Sequence, residues 1–382
     1  MEPRKFVVPE FVIGEGSLNL AGQYAGNFGA KKVFLVTDPG VISCGWAKKV
    51  QMSLEKAGIN HVIFSDITPN PRDFEVMAGA EKYLHEQCDV IVVVGGGSPM
   101  DCAKGVGIVS NNNEHILAFE GVDKVLIPTP PLICIPTTAG SSADISQFAI
   151  ITDTARRVKI AIISKAIVPD VALIDPVTTT TMPENITAYS GMDALVHAIE
   201  ACVSIASSMI TDLLALEAIR IIRKNLKNAI EYPLDMEFRD SMSLGCLLAG
   251  IAFSNASLGM VHSMAHSLGG YYDLSHGLCN GIMLDYVFDF NFESASEQYF
   301  RIAEALGLDL NGLSYVHKKS KIQENLISFK KSIGISQSLS EMGVTKEDIP
   351  LLARHVLNDP CLVTNPRAPS LKDIENIYER AL

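Results

Sequence analysis

Asp89-Val90-Ile91-Val92-Val93-Val94-Gly95-Gly96-Gly97-Ser98-Pro99-Met100-Asp101-Cys102-Ala103-Lys104 is the most telling stretch of this chain. An unbroken β-branched run has no polar face, so Val90 to Val94 reads as a strand buried on both sides. It runs straight into three glycines, and Pro99 then suits the first turn of a helix. Backbone without Cβ atoms admits a phosphate closely, and the free N–H groups of a helix start favour an anion. The spacing is not GxGxxG and lacks a GK[ST] ending, so neither the ordinary dinucleotide fingerprint nor a P-loop is present. A bare triple glycine also suits a ligand-free βα turn.

Working outward, Val33 to Thr37 reads as a second buried strand, ending at Asp38-Pro39-Gly40. Val62 to Phe64, Leu132 to Ile135 and Val171 to Ile174 are further strands, and Phe148 to Ile163 alternates as a hairpin. An amphipathic segment, Phe74 to His85, separates two of them, the pattern of a parallel sheet with helices on both faces. A second small, hydroxyl-rich loop, Thr137-Thr138-Ala139-Gly140-Ser141-Ser142, also follows a strand, as a dinucleotide crevice requires. Asp38 at a strand end could accept from ribose hydroxyls; the commoner fate of such an Asp is a turn or helix cap.

The pattern changes at Val177 to Pro183, and helix dominates afterwards: Glu184 to Ser204, Ile210 to Glu231, and Glu237 to Leu268 as one long element. The expected organisation is an α/β domain over 1–180 and an all-helical domain over 181–382. Of the 382 residues, 48% are hydrophobic and 19% charged, which fits a globular chain. A formal charge of −12 repels phosphate backbones and anionic lipid, so nucleic acid and membrane are not expected partners. Met1 to Lys5 leads into no signal-type apolar core, and no apolar run is long enough to span a bilayer. Eight cysteines without a CxxC pair fit reduced thiols and a cytoplasmic protein.

The chemistry concentrates in the helical half. Asp193 and His197 stand four apart, as do His262 and His266, and His276 follows. On a helix, i and i+4 share a face. Burying these groups in apolar helices costs several kcal/mol unless they are paired or coordinated. Three nitrogens and one carboxylate suit Zn²⁺ or Fe²⁺. The absence of HExxH argues against a zinc peptidase. His61, His85, His115, His317 and His355 sit among polar residues and read as surface, as do Glu341, Glu347 and Asp348.

Together, GGGSPMDCAK (95–104), IPTTAG (135–140), GMDALVHAIE (191–200) and VHSMAHSLGGYYDLSHG (261–277) resemble the iron-dependent, or group III, alcohol dehydrogenases. The likeness runs from Phe11-Val12-Ile13-Gly14-Glu15-Gly16-Ser17 to Asn358-Asp359-Pro360-Cys361-Leu362-Val363-Thr364-Asn365-Pro366-Arg367. That last stretch is most similar to the NAD-dependent methanol-dehydrogenase-like, short-chain primary alcohol branch. The resemblance implies a Rossmann-like α/β domain followed by an all-α domain, a dehydroquinate-synthase-like architecture. It implies Asp193, His197, His262 and His276 as metal ligands for Fe²⁺, with Zn²⁺ possible, and His266 beside the metal as a catalytic proton relay. Gly96, Gly97 and Ser98 would cradle the pyrophosphate of NAD, with Asp101 supporting the turn. Asn70, Thr137, Thr138 and Lys159 would contact the cofactor, and Asp38 the adenine-side ribose. Phe148, Phe253 and Cys361 would line the alcohol pocket. One departure is clear: the family loop commonly reads TTAGTGSE, whereas residues 137–144 read TTAGSSAD.

The expected function is reversible hydride transfer between a primary alcohol and NAD, the alcohol oxygen being bound to the metal. Alternatives on the same fold are dehydrogenases for a diol, lactaldehyde or 4-hydroxybutyrate. A dehydroquinate-synthase-type lyase should carry extra Lys and Arg near the metal motifs. Between Gly191 and Gly277 the basic residues lie mainly in Arg220 to Lys227, which reads as solvent face. A non-enzymatic metal or NAD sensor is the third class. Lys5 to Ile13 reads as an edge strand with no partner in its own chain, which invites pairing into a homodimer or higher homo-oligomer.

Overall fold

The computed structural model describes residues 5–382; Met1 to Arg4, part of the N-terminal reading, lie outside the described residues. The chain forms two compact units, Phe6–Met182 and Pro183–Leu382.

The first unit is built on strands β1 (Glu10–Ile13), β2 (Lys32–Val36), β3 (Asn60–Phe64), β4 (Val90–Gly95), β5 (Gly121–Val122), β6 (Leu132–Pro136), β7 (Phe148–Asp153), β8 (Val158–Ile163) and β9 (Val171–Ile174). Six of them form one sheet in the order β1-β9-β6-β4-β2-β3, and all its pairs are parallel. Phe34, Val36, Ile91, Val93, Leu132 and Cys134 face one apolar core, and Val33, Leu35, Val90, Val92, Ile133 and Ile135 face another. This two-sided burial is why these strands read as unbroken apolar runs rather than alternating ones. The hairpin β7–β8 is antiparallel and joins β5 in a separate three-stranded sheet.

The chain runs from β2 outward to β3, then returns to the other side of β2 for β4. The order therefore reverses between β2 and β4. At such a switch point the loops leave the carboxyl ends of the two strands in opposite directions and open a crevice. Thr37-Asp38 and Gly95-Gly96-Gly97 are the loops at that point.

Two expectations need correction. The strand near the N-terminus has a partner in its own chain: Glu10 to Ile13 pair in register with Val171 to Ile174. It is still the outermost strand of its sheet, with Phe11 and Ile13 exposed. The long helix expected over Glu237 to Leu268 is two helices, Met236–Ala256 and Met260–Tyr272, bent by 100° at a short break. Ser257 ends the first with φ +63°, and the Ser204 hydroxyl donates to the Ala256 carbonyl. Apolar periodicity carries through such a break because both helices are buried, so the pattern alone could not reveal it. Among the described residues no single helix is long and apolar enough to cross a membrane.

Candidate metal centre and dinucleotide cradle

Three helices of the second unit carry the chemistry. Helix Glu184–Val203 is buried on every side from Gly191 onward, so its few polar side chains must find partners inside. Asp193, His197 and Glu200 lie at i, i+4 and i+7, on one face. Helix Met260–Tyr272 brings His262 and His266, one turn apart. Helix His276–Asn291 brings His276 in its first turn and Asn280 one turn later. Gly277 lets this helix approach the first: a Cβ there would lie 2.1 Å from the Tyr189 carbonyl oxygen.

The side chains converge. Asp193 Oδ1 lies 3.6 Å from His262 Nε2, 3.6 Å from His276 Nε2 and 3.8 Å from His197 Nε2. A tetrahedral ion with bonds of about 2.1 Å separates its ligands by roughly 3.4 Å, so the spacing suits Zn²⁺ or Fe²⁺. Asp193, His262 and His276 form the tightest group, and His197 stacks on His262 with ring centroids 4.6 Å apart. The chemistry of the set fits a cation as well, because a buried carboxylate facing three imidazole nitrogens needs positive charge. Burial pushes the Asp193 carboxyl up, but the three histidines outweigh it and hold the group well below the usual carboxylate range. Burial pulls His262 down, yet its bonds to Asp193 and Glu200 raise it to about 9 without metal. The Asn280 amide donates to Asp193 Oδ1 at 2.6 Å and stands 3.2 and 3.3 Å from the Nε2 atoms of His262 and His276.

His266 does not join the ligand group. Its Nδ1 lies 2.8 Å from Asp359 Oδ2, and its ring stacks on His276 at 5.2 Å. Asp359 also accepts from the Cys361 N–H. Burial raises the Asp359 carboxyl, but the His266 charge and hydrogen bond outweigh it, and the net shift is downward. Phe253 stacks on His197 at 4.2 Å, and Cys361 is buried beside Asp359 and His266, so both stand beside the cluster. Phe148 belongs to the other unit, where its carbonyl accepts from Lys104 Nζ.

In the α/β unit Gly96, Gly97, Ser98 and Asp101 follow β4, Thr137 and Thr138 follow β6, Asp38 follows β2, Asn70 follows β3, and Lys159 lies on β8 of the smaller sheet. The Asn70 N–H, at φ +58°, donates to Ser98 Oγ. A Cβ on Gly96 would stand 3.2 Å from Thr138 Cγ2, and one on Gly97 would stand 3.0 Å from Ser141 Cβ. The two loops are thus in contact, and bare backbone makes the contact possible. Thr137 donates its N–H to the Gly95 carbonyl. Burial lifts Asp101 to about 6, against the opposing pull of Lys104, the Ile150 N–H and Lys159. Asp38 caps the short helix Pro39–Ser43, accepting from the Val41 N–H at 2.9 Å.

Sequence reasoning missed four residues that hold the Asp–His cluster and its neighbours in place. Glu200 accepts from Gly259, Val261 and His262 N–H groups and from His262 Nδ1. Asn365 Oδ1 accepts from the Met260 N–H. Asp359 and Asn280 hold His266 and Asp193, as above. A signal existed for Glu200: it is the lone acid in the apolar run after His197, and such an acid must be partnered.

Comparison with known proteins covers both parts of the chain. Residues 9–176 match the iron-containing alcohol dehydrogenase family, and 187–382 match the C-terminal part of the Fe-containing alcohol dehydrogenase family. The chain belongs to the iron-containing alcohol dehydrogenases. It is 38% identical over 377 residues to the NAD-dependent methanol dehydrogenase of Bacillus methanolicus, covering 99% of each chain. It is 37% identical over 379 residues to the 1,3-propanediol dehydrogenase of Citrobacter freundii, covering 98% of each. A crystal structure of a 1,3-propanediol oxidoreductase superposes with a TM-score of 0.96 at 37% identity, over all of both chains.

Proposed function

We propose that this alcohol dehydrogenase interconverts a short primary alcohol and its aldehyde with NAD, holding Fe²⁺ or Zn²⁺ through Asp193, His197, His262 and His276. The observation that carries the reading is the buried cluster of one carboxylate and three imidazoles. The metal supplies Lewis acidity toward an alcohol oxygen, and NAD accepts the hydride. The chain's own residues do the rest. Gly96, Gly97 and Ser98 take the pyrophosphate at a helix start, with Asp101, Asn70, Thr137, Thr138 and Lys159 around them. Asp38, across the switch point, takes the adenine-side ribose. His266, with Nδ1 engaged by Asp359, offers Nε2 to receive and pass on the hydroxyl proton. Phe253 and Cys361, beside the cluster, shape the substrate's apolar surroundings. The 1,3-propanediol relatives keep diols beside simple alcohols as substrates.

A lyase handling a phosphorylated acid finds no support. Arg239, the basic residue nearest the cluster in sequence outside Arg220 to Lys227, is fully buried and bonded to the Pro233 carbonyl and Thr187. The absence of any CxxC pair among the eight cysteines supports a cytoplasmic location. The exposed outer edge of β1 supports a homodimer or larger homo-oligomer. The test is a 1,1-dideuterated primary alcohol. Direct transfer places the deuterium on the reduced nicotinamide; loss of the label to water would refute the reading.

A further inference from the structure

Glu200 is almost completely buried, with 2% of its surface exposed, and it carries four donors. Oε2 accepts from Gly259 N–H at 3.0 Å and His262 N–H at 3.4 Å, and Oε1 accepts from Val261 N–H at 2.7 Å. These N–H groups open helix Met260–Tyr272, where the helix leaves them without internal partners. Backbone amides thus occupy both carboxylate oxygens as acceptors. His262 Nδ1 stands 2.6 Å from Oε2. With no donor on the carboxylate, the proton of that contact belongs to Nδ1.

The other ring atom faces a donor and an acceptor: His262 Nε2 lies 3.2 Å from Asn280 Nδ2 and 3.6 Å from Asp193 Oδ1. With Nδ1 keeping its hydrogen toward Glu200, Nε2 is the ring atom left to give a lone pair to a cation. The fit at Glu200 is close: a Cβ on Gly259 would stand 2.8 Å from Glu200 Oε1. Glu200 also shares its helix face with Asp193 and His197.

We propose that Glu200 is a positioning residue for the metal centre. It fixes His262 with hydrogen on Nδ1 and a lone pair on Nε2, and it sets helix Met260–Tyr272 in register with the helix bearing Asp193 and His197. This rests on the metal reading above. Carboxylates behind a ligating histidine typically change metal affinity about 10–100-fold when removed.

The test is Zn²⁺ affinity, measured on the full chain by competition with a fluorescent chelator, in wild type and Glu200→Gln. The glutamine has the same shape but one acceptor oxygen, so it cannot serve both the backbone amides and Nδ1. The expected result is Zn²⁺ binding weakened about 10–100-fold, with NAD binding to the metal-free protein changed less than twofold. Wild-type Zn²⁺ affinity in a folded Glu200→Gln protein overturns the proposal and leaves the metal reading intact. A wild-type chain that binds no Zn²⁺ or Fe²⁺ overturns both. Should the variant not fold, nitrogen-15 histidine NMR of the zinc-loaded wild type decides. A slowly exchanging His262 Nδ1–H is expected; a His262 that ligates through Nδ1 overturns the proposal.

Discussion

Gly277→Ala tests whether the ligand-bearing helices are held as closely as the chemistry needs. The new Cβ would lie 2.1 Å from the Tyr189 carbonyl oxygen and 2.7 Å from its carbon, where ordinary contact begins at 3.4 Å. Both partners are backbone, so no rotamer change relieves the clash. The helix beginning at His276 must move about 1 Å away from the helix carrying Asp193 and His197. Functional constellations tolerate about 0.5 Å, so His276 leaves the range in which it would share the proposed ion with Asp193. Overpacking of this kind costs ~1–3 kcal/mol. Gly281→Ala is the control, one turn further along the same helix. Its Cβ would meet Ile335 Cδ1 at 2.9 Å and Ile335 Cγ2 and Met192 Cγ at 3.1 Å, all side-chain atoms rather than backbone. Metal content after dialysis, with thermal unfolding of the metal-free forms, gives the readout. Gly277→Ala should lose metal and stability while Gly281→Ala keeps its metal. Wild-type metal affinity in Gly277→Ala, or equal damage in both variants, would refute the reasoning.

His262→Ala should lose metal and activity together, whereas His266→Ala should keep the metal and lose about 100-fold or more in rate; equal metal loss in the two would make His266 a ligand. Asp38→Gly should raise the ratio of kcat/KM for NADP over NAD, because a carboxylate beside the 2′-phosphate can cost several kcal/mol, while replacing the cap by glycine costs only a few tenths. An unchanged ratio would leave Asp38 as a cap alone. Burial raises Asp144 from 3.8 to about 6 against the pull of Lys104, and Asp101 is raised to about 6 as well. The folded state then holds these protons more tightly than the unfolded one, so this contribution is complete below about pH 4 and lost as pH rises through about 6. Asp144→Asn should remove its share, flattening melting temperature against pH between 4 and 6; an unchanged profile would contradict that assignment.

The parallel sheet was legible because its strands are buried on both faces, and an unbroken β-branched run has few other readings. The Asp–His cluster was legible because Asp193/His197 and His262/His266 keep helical spacing within apolar surroundings. The break at Ser257 to Gly259 was not, since it depends on Glu200 and Asn365 reaching N–H groups from elements distant in sequence. Glu200, Asn280 and Asp359 act through tertiary contacts that no local pattern encodes. The N-terminal strand misled for a related reason: its partner, Val171 to Ile174, is about 160 residues away, and parallel pairing leaves no turn between strands to announce it.

The central claim is that the buried Asp–His cluster makes this chain a metal- and NAD-dependent alcohol dehydrogenase. The most direct measurement follows absorbance of reduced nicotinamide as primary alcohols of increasing length are added with NAD to one preparation, first stripped by chelator and then reloaded with Fe²⁺ or Zn²⁺. The account predicts no reduction in the stripped protein and its return on reloading with at least one short alcohol. Reduction that survives complete removal of metal, or none with any alcohol after loading, would contradict it.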